Sequence, residues 1–92
     1  MADVYQALAE PTRRAILDEL REQDGQTIFE LCGRLTGKHE LSSSRQAISQ
    51  HLGILEGAGL VRTSRQGRRK RHSLDTSPLR EIVERWPIED ER

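Results

Sequence analysis

SRQAISQHLGILEGAGLVRTSRQGRRKRHSLD, Ser44 to Asp75, changes its period halfway along. In the first half Ile48, Leu52 and Leu55 recur at spacings of four and three, the rhythm of one buried helical face. Ser44 stands where an N-cap is needed, and Gly57 and Gly59 end the helix, which runs over about 44–58. From Leu60 the spacing drops to two. Val61 and Thr63 alternate with Arg62 and Ser64, and beyond Gly67 His72 and Leu74 alternate with Arg71 and Ser73. That pattern predicts a β-hairpin with Gln66-Gly67-Arg68 at its tip.

Opposite the apolar back of the helix lie Gln46, Ser49, Gln50 and Gly53, a front of small hydrogen-bonding residues without an acid. The hairpin is as one-sided in charge: Arg62, Arg65, Arg68, Arg69, Lys70 and Arg71 precede its first acid, Asp75. The whole chain is nevertheless formally neutral, with 15 basic and 15 acidic residues. Lys38 to His72 carries a net +6 and the remainder −6, so the sequence is a dipole whose basic half suits a polyanion.

The rest of the chain fits one small domain of 92 residues, mainly α. Only 34% of residues are apolar and 3% aromatic, so the core is built from Leu, Ile, Val and Ala and gains from cover by a partner chain. Val4, Ala7 and Leu8 mark a short helix at about 3–9; Pro11 opens a second with Ile16, Leu17 and Leu20 inside, and Gly25 stops it. Thr27 and Glu30 form a capping box for a third helix buried through Ile28, Leu31 and Leu35. TGKHELSS then reads as a loop whose Lys38 and His39 can touch a phosphate. Ser77-Pro78 opens a last helix, about 78–86, with Leu79, Ile82, Val83 and Trp86 on one face, followed by a fraying charged tail. No apolar run spans a membrane, the N-terminus is not a secretory signal, and a lone cysteine fits the reducing cytoplasm.

A helix with a neutral polar front fits the major groove of double-stranded DNA. There Gln46 and Gln50 can bond adenine, and Arg45 guanine or a phosphate. Ser44 and Ser49 are adaptable, and His51, on the flank, is either a phosphate ligand or a packed structural histidine. The hairpin arginines would follow the sugar-phosphate backbone or a narrow minor groove. Arg13 and Arg14 read as solvated or salt-bridged.

EPTRRAILDEL, SRQAISQHLGILEGAGLV and RQGRRKRHSLD together resemble the ArsR-type winged helix-turn-helix transcriptional regulators, over roughly Val4 to Trp86. The resemblance implies a homodimeric operator-binding regulator, usually a repressor, that reads an inverted repeat and is dimerised by its first and last helices. Carried over by position, Ser44, Arg45, Gln46, Ser49, Gln50 and His51 fall on the recognition helix, and Arg62, Arg65, Arg68, Arg69 and Arg71 on the wing. Val4, Tyr5, Leu8, Leu79, Ile82, Val83 and Trp86 would form the dimer interface.

Three features depart from that pattern. FELCGRL holds Cys32 alone where soft-metal sensors have a Cys-x-Cys pair, and no histidine lies between Leu79 and Trp86, so no metal or other cofactor is expected. The link before the recognition helix is about six residues longer than the family pattern implies. His72 stands where the family has an aromatic, which implies a looser wing. The rival reading is a winged-helix module that binds an acidic protein or RNA. An enzyme is not expected, because no nucleophile–base set and no glycine-rich phosphate loop is present. Nothing identifies an effector, whether a small molecule or a protein.

Overall fold

A computed structural model describes residues 3–39 and 43–89. Five helices precede and follow a two-stranded antiparallel hairpin: α1 (Val4–Leu8), α2 (Pro11–Glu22), α3 (Ile28–His39), α4 (Arg45–Gly57), β1 (Val61–Gln66), β2 (Arg69–Leu74), a 3₁₀ turn (Ser77–Leu79) and α5 (Arg80–Arg85). The helix starts obey local chemistry. Asp3, Glu10 and Ser44 each accept a hydrogen bond from the backbone N–H three residues on, at 2.7, 3.2 and 3.1 Å. Pro11 occupies the first turn of α2, where a missing N–H costs nothing.

The core is a single aliphatic cluster in which Ile16 and Leu20 of α2, Leu31 and Leu35 of α3, and Ile48, Leu52 and Leu55 of α4 meet Leu60 and Val61. Val4 and Ala7 of α1 belong to it too. Leu17, expected inside, is only half-buried. The inner face of α2 turns through Thr12, Ala15, Ile16, Glu19 and Leu20 instead.

The hairpin pairs Val61 with Leu74, Thr63 with His72 and Gln66 with Arg69 around a two-residue turn, Gly67-Arg68. Gly67 has φ +64°, the left-handed conformation that such a turn demands at its first central position. A third short pairing, Gln26 with His72, joins the hairpin to the α2–α3 connection. Its backbone bonds measure 3.1 and 2.8 Å, and His72 Nδ1 donates to the Gln26 carbonyl at 3.0 Å. The amide nitrogen of Gln26 is itself engaged, with Nε2 donating to the carbonyls of Glu19 and Gln23 at 3.0 and 2.8 Å. The wing is therefore anchored at its base through the residue expected to loosen it.

Two helix ends differ from expectation. α3 continues through Thr36, Gly37, Lys38 and His39, half of the expected loop. The cause is Glu19, buried on α2 and fully shielded from solvent. His39 Nε2 donates to its Oε2 at 2.9 Å, Lys38 Nζ lies 3.3 Å from the same oxygen, and Arg34 lies 3.6 Å from Oε1. Lys38 also reaches Glu22 at 2.9 Å. These side chains wind the last turn of α3 onto α2 and are turned toward Glu19. The remainder of the loop, 40–42, lies outside the described residues. At the other end α5 stops at Arg85: Trp86 leaves the helical region (φ −130°, ψ 87°) because Pro87 follows it. The end of the charged tail, 90–92, also lies outside the described residues.

Burial pushes the Glu19 carboxyl up, but hydrogen bonds from His39 and Lys38 pull harder, and it is held below the ordinary value of 4.5. A depressed folded-state pKa contributes stability that is complete above the unfolded value and is lost as pH falls through the folded one. Glu19→Gln should therefore cost on the order of 2 kcal/mol near neutral pH, and the gap to the parent should narrow as pH falls below 4.5 in urea melts. A gap that is constant across that range contradicts the ionic account.

Candidate nucleic-acid interface

Ile48, Leu52 and Leu55 fasten α4 to the core, which leaves Ser44, Arg45, Gln46, Ser49, Gln50 and Gly53 exposed on its other side. The hairpin rises beside that exposed side, and the two enclose a cleft of about 1220 Å³. Arg45, Gln46, Ser49, Gln50 and Gly53 line one wall, and so does Glu56 near the C-terminal end of α4, an acid in the cleft that the expected front lacked. Arg68, Arg69 and Lys70 line the other, and the first turn of α3, Thr27 to Glu30, closes one side. The polar front and the cationic ribbon thus face the same space.

The six cations of the hairpin divide into two sets. Arg65, Arg68, Arg69 and Lys70 are exposed and form no ion pair among the described residues. Arg62 and Arg71 are engaged by the protein. Arg62 Nε donates to Asp75 Oδ2 at 2.8 Å, and the Asp75 carboxyl is held below its ordinary range by the backbone and hydroxyl of Ser77, with Arg62 adding. Arg71 donates to Gln66 Oε1 at 2.8 Å and to the Gly25 carbonyl at 2.9 Å, and lies 3.9 Å from Glu30. Period-two alternation explains the second assignment: Arg71 sits on the face opposite His72, against the α2–α3 connection. Expected as a DNA ligand, it braces the wing.

His51 is a second revision. Its ring is half-buried, with Nδ1 accepting from Arg13 Nη1 at 3.1 Å and Nε2 lying 3.7 Å from Glu10. Both nitrogens face partners within the protein, the arrangement that the structural alternative describes. Partial burial raises the Glu10 carboxyl. The N–H groups of Thr12 and Arg13 outweigh that, His51 and Arg13 add, and the carboxyl lies below 4.5. Arg13 and Arg14, expected in solvent or salt bridges, cap α1. Arg13 donates to the carbonyls of Ala7 and Gln6 at 2.9 and 3.0 Å, and Arg14 to that of Leu8 at 2.6 Å. A five-residue helix has no stability of its own, and these bonds satisfy its orphan carbonyls.

The expected interface residues also separate. Val4 is buried in the core. Tyr5, Leu8, Leu79 and Ile82 are half-buried and pack against that core. Val83 and Trp86 are exposed, and the Trp86 ring is 59% accessible. Tyr5 and Trp86 meet edge to face with centroids 6.0 Å apart, and Arg85 lies over the indole at 4.5 Å, so α1 and α5 share one apolar patch. Cys32 is half-buried, and among the described residues no three of His, Cys, Asp and Glu converge on a metal site. No helix of the described residues is long and apolar enough to cross a membrane.

An exposed polar helix backed by a hairpin over one cleft defines a winged helix-turn-helix protein. A helix-turn-helix domain model matches residues 8–64. The uncharacterised HTH-type transcriptional regulator YuzN of Bacillus subtilis (strain 168) is 43% identical over 83 residues, which cover 90% of each chain. The transcriptional repressor SdpR of the same organism is 32% identical over 90% of this chain and 84% of its own length. An ArsR-like transcriptional regulator from Rhodococcus sp. RHA1 superposes with a TM-score of 0.76 and 34% identity, covering 89% of this chain and 69% of the other. The chain belongs to the ArsR-like helix-turn-helix transcriptional regulators, and is a DNA-binding regulator and not an enzyme.

Arg13→Ala removes three hydrogen bonds at the junction of α1, α2 and α4. A loss of about 1–3 kcal/mol is expected in chemical denaturation, with Arg21→Ala, an exposed control, within about 0.5 kcal/mol of the parent.

Proposed function

We propose that two copies of the chain associate through the α1–α5 patch and bind an inverted-repeat operator in double-stranded DNA as a repressor. The observation that carries this reading is the cleft shared by the polar front of α4 and three exposed wing cations, Arg68, Arg69 and Lys70. In each half-site α4 enters the major groove. There Gln46, Ser49 and Gln50 meet base edges, while Ser44 and Arg45 sit near the backbone at its N-terminus. Arg65, Arg68, Arg69 and Lys70 follow the flanking phosphates or the adjoining minor groove and release counterions. Arg62, already neutralised by Asp75, contributes less, and Arg71 and His51 act by holding the wing and α4 in place.

Pairing through Trp86, Val83 and Tyr5 would remove exposed apolar surface that the small core leaves uncovered. A two-fold dimer sets its two reading helices about 34 Å apart, one duplex turn. Repression is supported by the likeness to SdpR. The site of action is the cytoplasm, with the DNA.

Selection of bound fragments from a random duplex pool tests the reading. The expected product is an inverted repeat with half-sites one turn apart, and no enrichment contradicts it. On the selected fragment, Arg68→Ala should weaken binding to all sequences and lower the salt slope by about 2 per dimer, whereas Gln46→Ala should relax preference at one position by about 1–3 kcal/mol. Trp86→Ser should convert dimer to monomer in sedimentation equilibrium. An unchanged mass overturns the proposed interface.

A further inference from the structure

Phe29 is the single phenylalanine of the chain, and the residue is 79% exposed. Among the described residues, the other exposed large apolar side chains, Val83, Trp86 and Ile88, follow one another near the C-terminal end, and Phe29 alone of the four lies in the cleft. Its position is fixed, not frayed. Thr27 and Glu30 close a capping box around it: Thr27 N–H donates to Glu30 Oε1 at 2.9 Å, and Glu30 N–H to Thr27 Oγ1 at 3.2 Å. Its neighbour Ile28 packs against the core and Leu31 is buried within it, so the helical period turns the ring outward between α4 and the wing.

The occupant follows from charge and from the proposed mode of DNA binding, on which this inference rests. When a helix fills a major groove and a wing reaches the next minor groove, the strand that separates the grooves runs between helix and wing. That strand alternates anionic phosphates with the uncharged faces of deoxyriboses. Arg68, Arg69 and Lys70 suit the phosphates. Glu30, beside Phe29 in the same cleft, repels them from the ring. We propose that Phe29 packs against a deoxyribose of the strand running between α4 and the wing, an apolar, sequence-independent contact that sets the register of each protomer on its half-site.

The test uses the full chain and the fragment selected from the random pool, with fluorescence anisotropy across a range of salt concentrations. Phe29→Ala should weaken binding about tenfold at every salt concentration, with a log–log slope equal to that of the parent, because no counterion is released by a phenyl ring. Phe29→Leu should recover most of the loss. The thermal midpoint of Phe29→Ala should match the parent, since the ring is exposed in the free protein. Replacing the fragment's thymines by deoxyuridines should weaken the parent and Phe29→Ala by equal factors. Binding of Phe29→Ala within about twofold of the parent, a reduced slope, or a deoxyuridine effect confined to the parent would each overturn the sugar contact while leaving DNA binding intact. Failure of the parent to bind any duplex overturns the DNA reading and this inference with it.

Discussion

The pairing of Gln26 with His72 is the constraint from which the interface follows. A two-stranded hairpin has little stability alone and could swing about its base. Here its second strand is bonded to the chain between α2 and α3, His72 is buried, and Gln26 spends its own amide on the end of α2. Arg71 adds a tie from the other face through Gly25. The wing consequently stands at a fixed angle to α4, and the cleft between them is a property of the folded monomer.

Placement of charge completes the arrangement. The arginines serve three ends: Arg71 and Arg62 brace the wing, Arg13 and Arg14 cap α1, and Arg65, Arg68 and Arg69 remain exposed. Through Arg13 and His51 the patch built by α1 and α5 is joined to the helix that faces the cleft. The α1–α5 patch and the exposed face of α4 therefore rest on a shared set of hydrogen bonds, not on separate modules.

Much of this was legible in the residues. The period change at Leu60, the capping serine and the positive-φ position at Gly67 placed α4 and the hairpin correctly, because each is decided by local chemistry. What was not legible depends on partners distant in sequence. The last turn of α3 exists because Glu19, twenty residues before His39, is buried under Arg34, Lys38 and His39; TGKH alone argues for a loop. The inward turn of His51 and Arg71 depends on Arg13 and Gly25. Val4 reads as an interface residue until α1 is seen folded against the core. Phe29 carried a usable signal: with Ile28, Leu31 and Leu35 inside, the same period puts its ring outside.

The central claim is that α4 and the wing engage one duplex side by side. Paired footprinting on a selected operator tests it most directly, with methylation protection reporting the major groove and hydroxyl-radical protection reporting the sugar-phosphate backbone. The account predicts that each half-site shows a block of protected guanines flanked, about half a turn away, by backbone protection that disappears in a variant with Arg65, Arg68, Arg69 and Lys70 replaced by alanine. Backbone protection without major-groove protection, or flanking protection that survives that replacement, would contradict it.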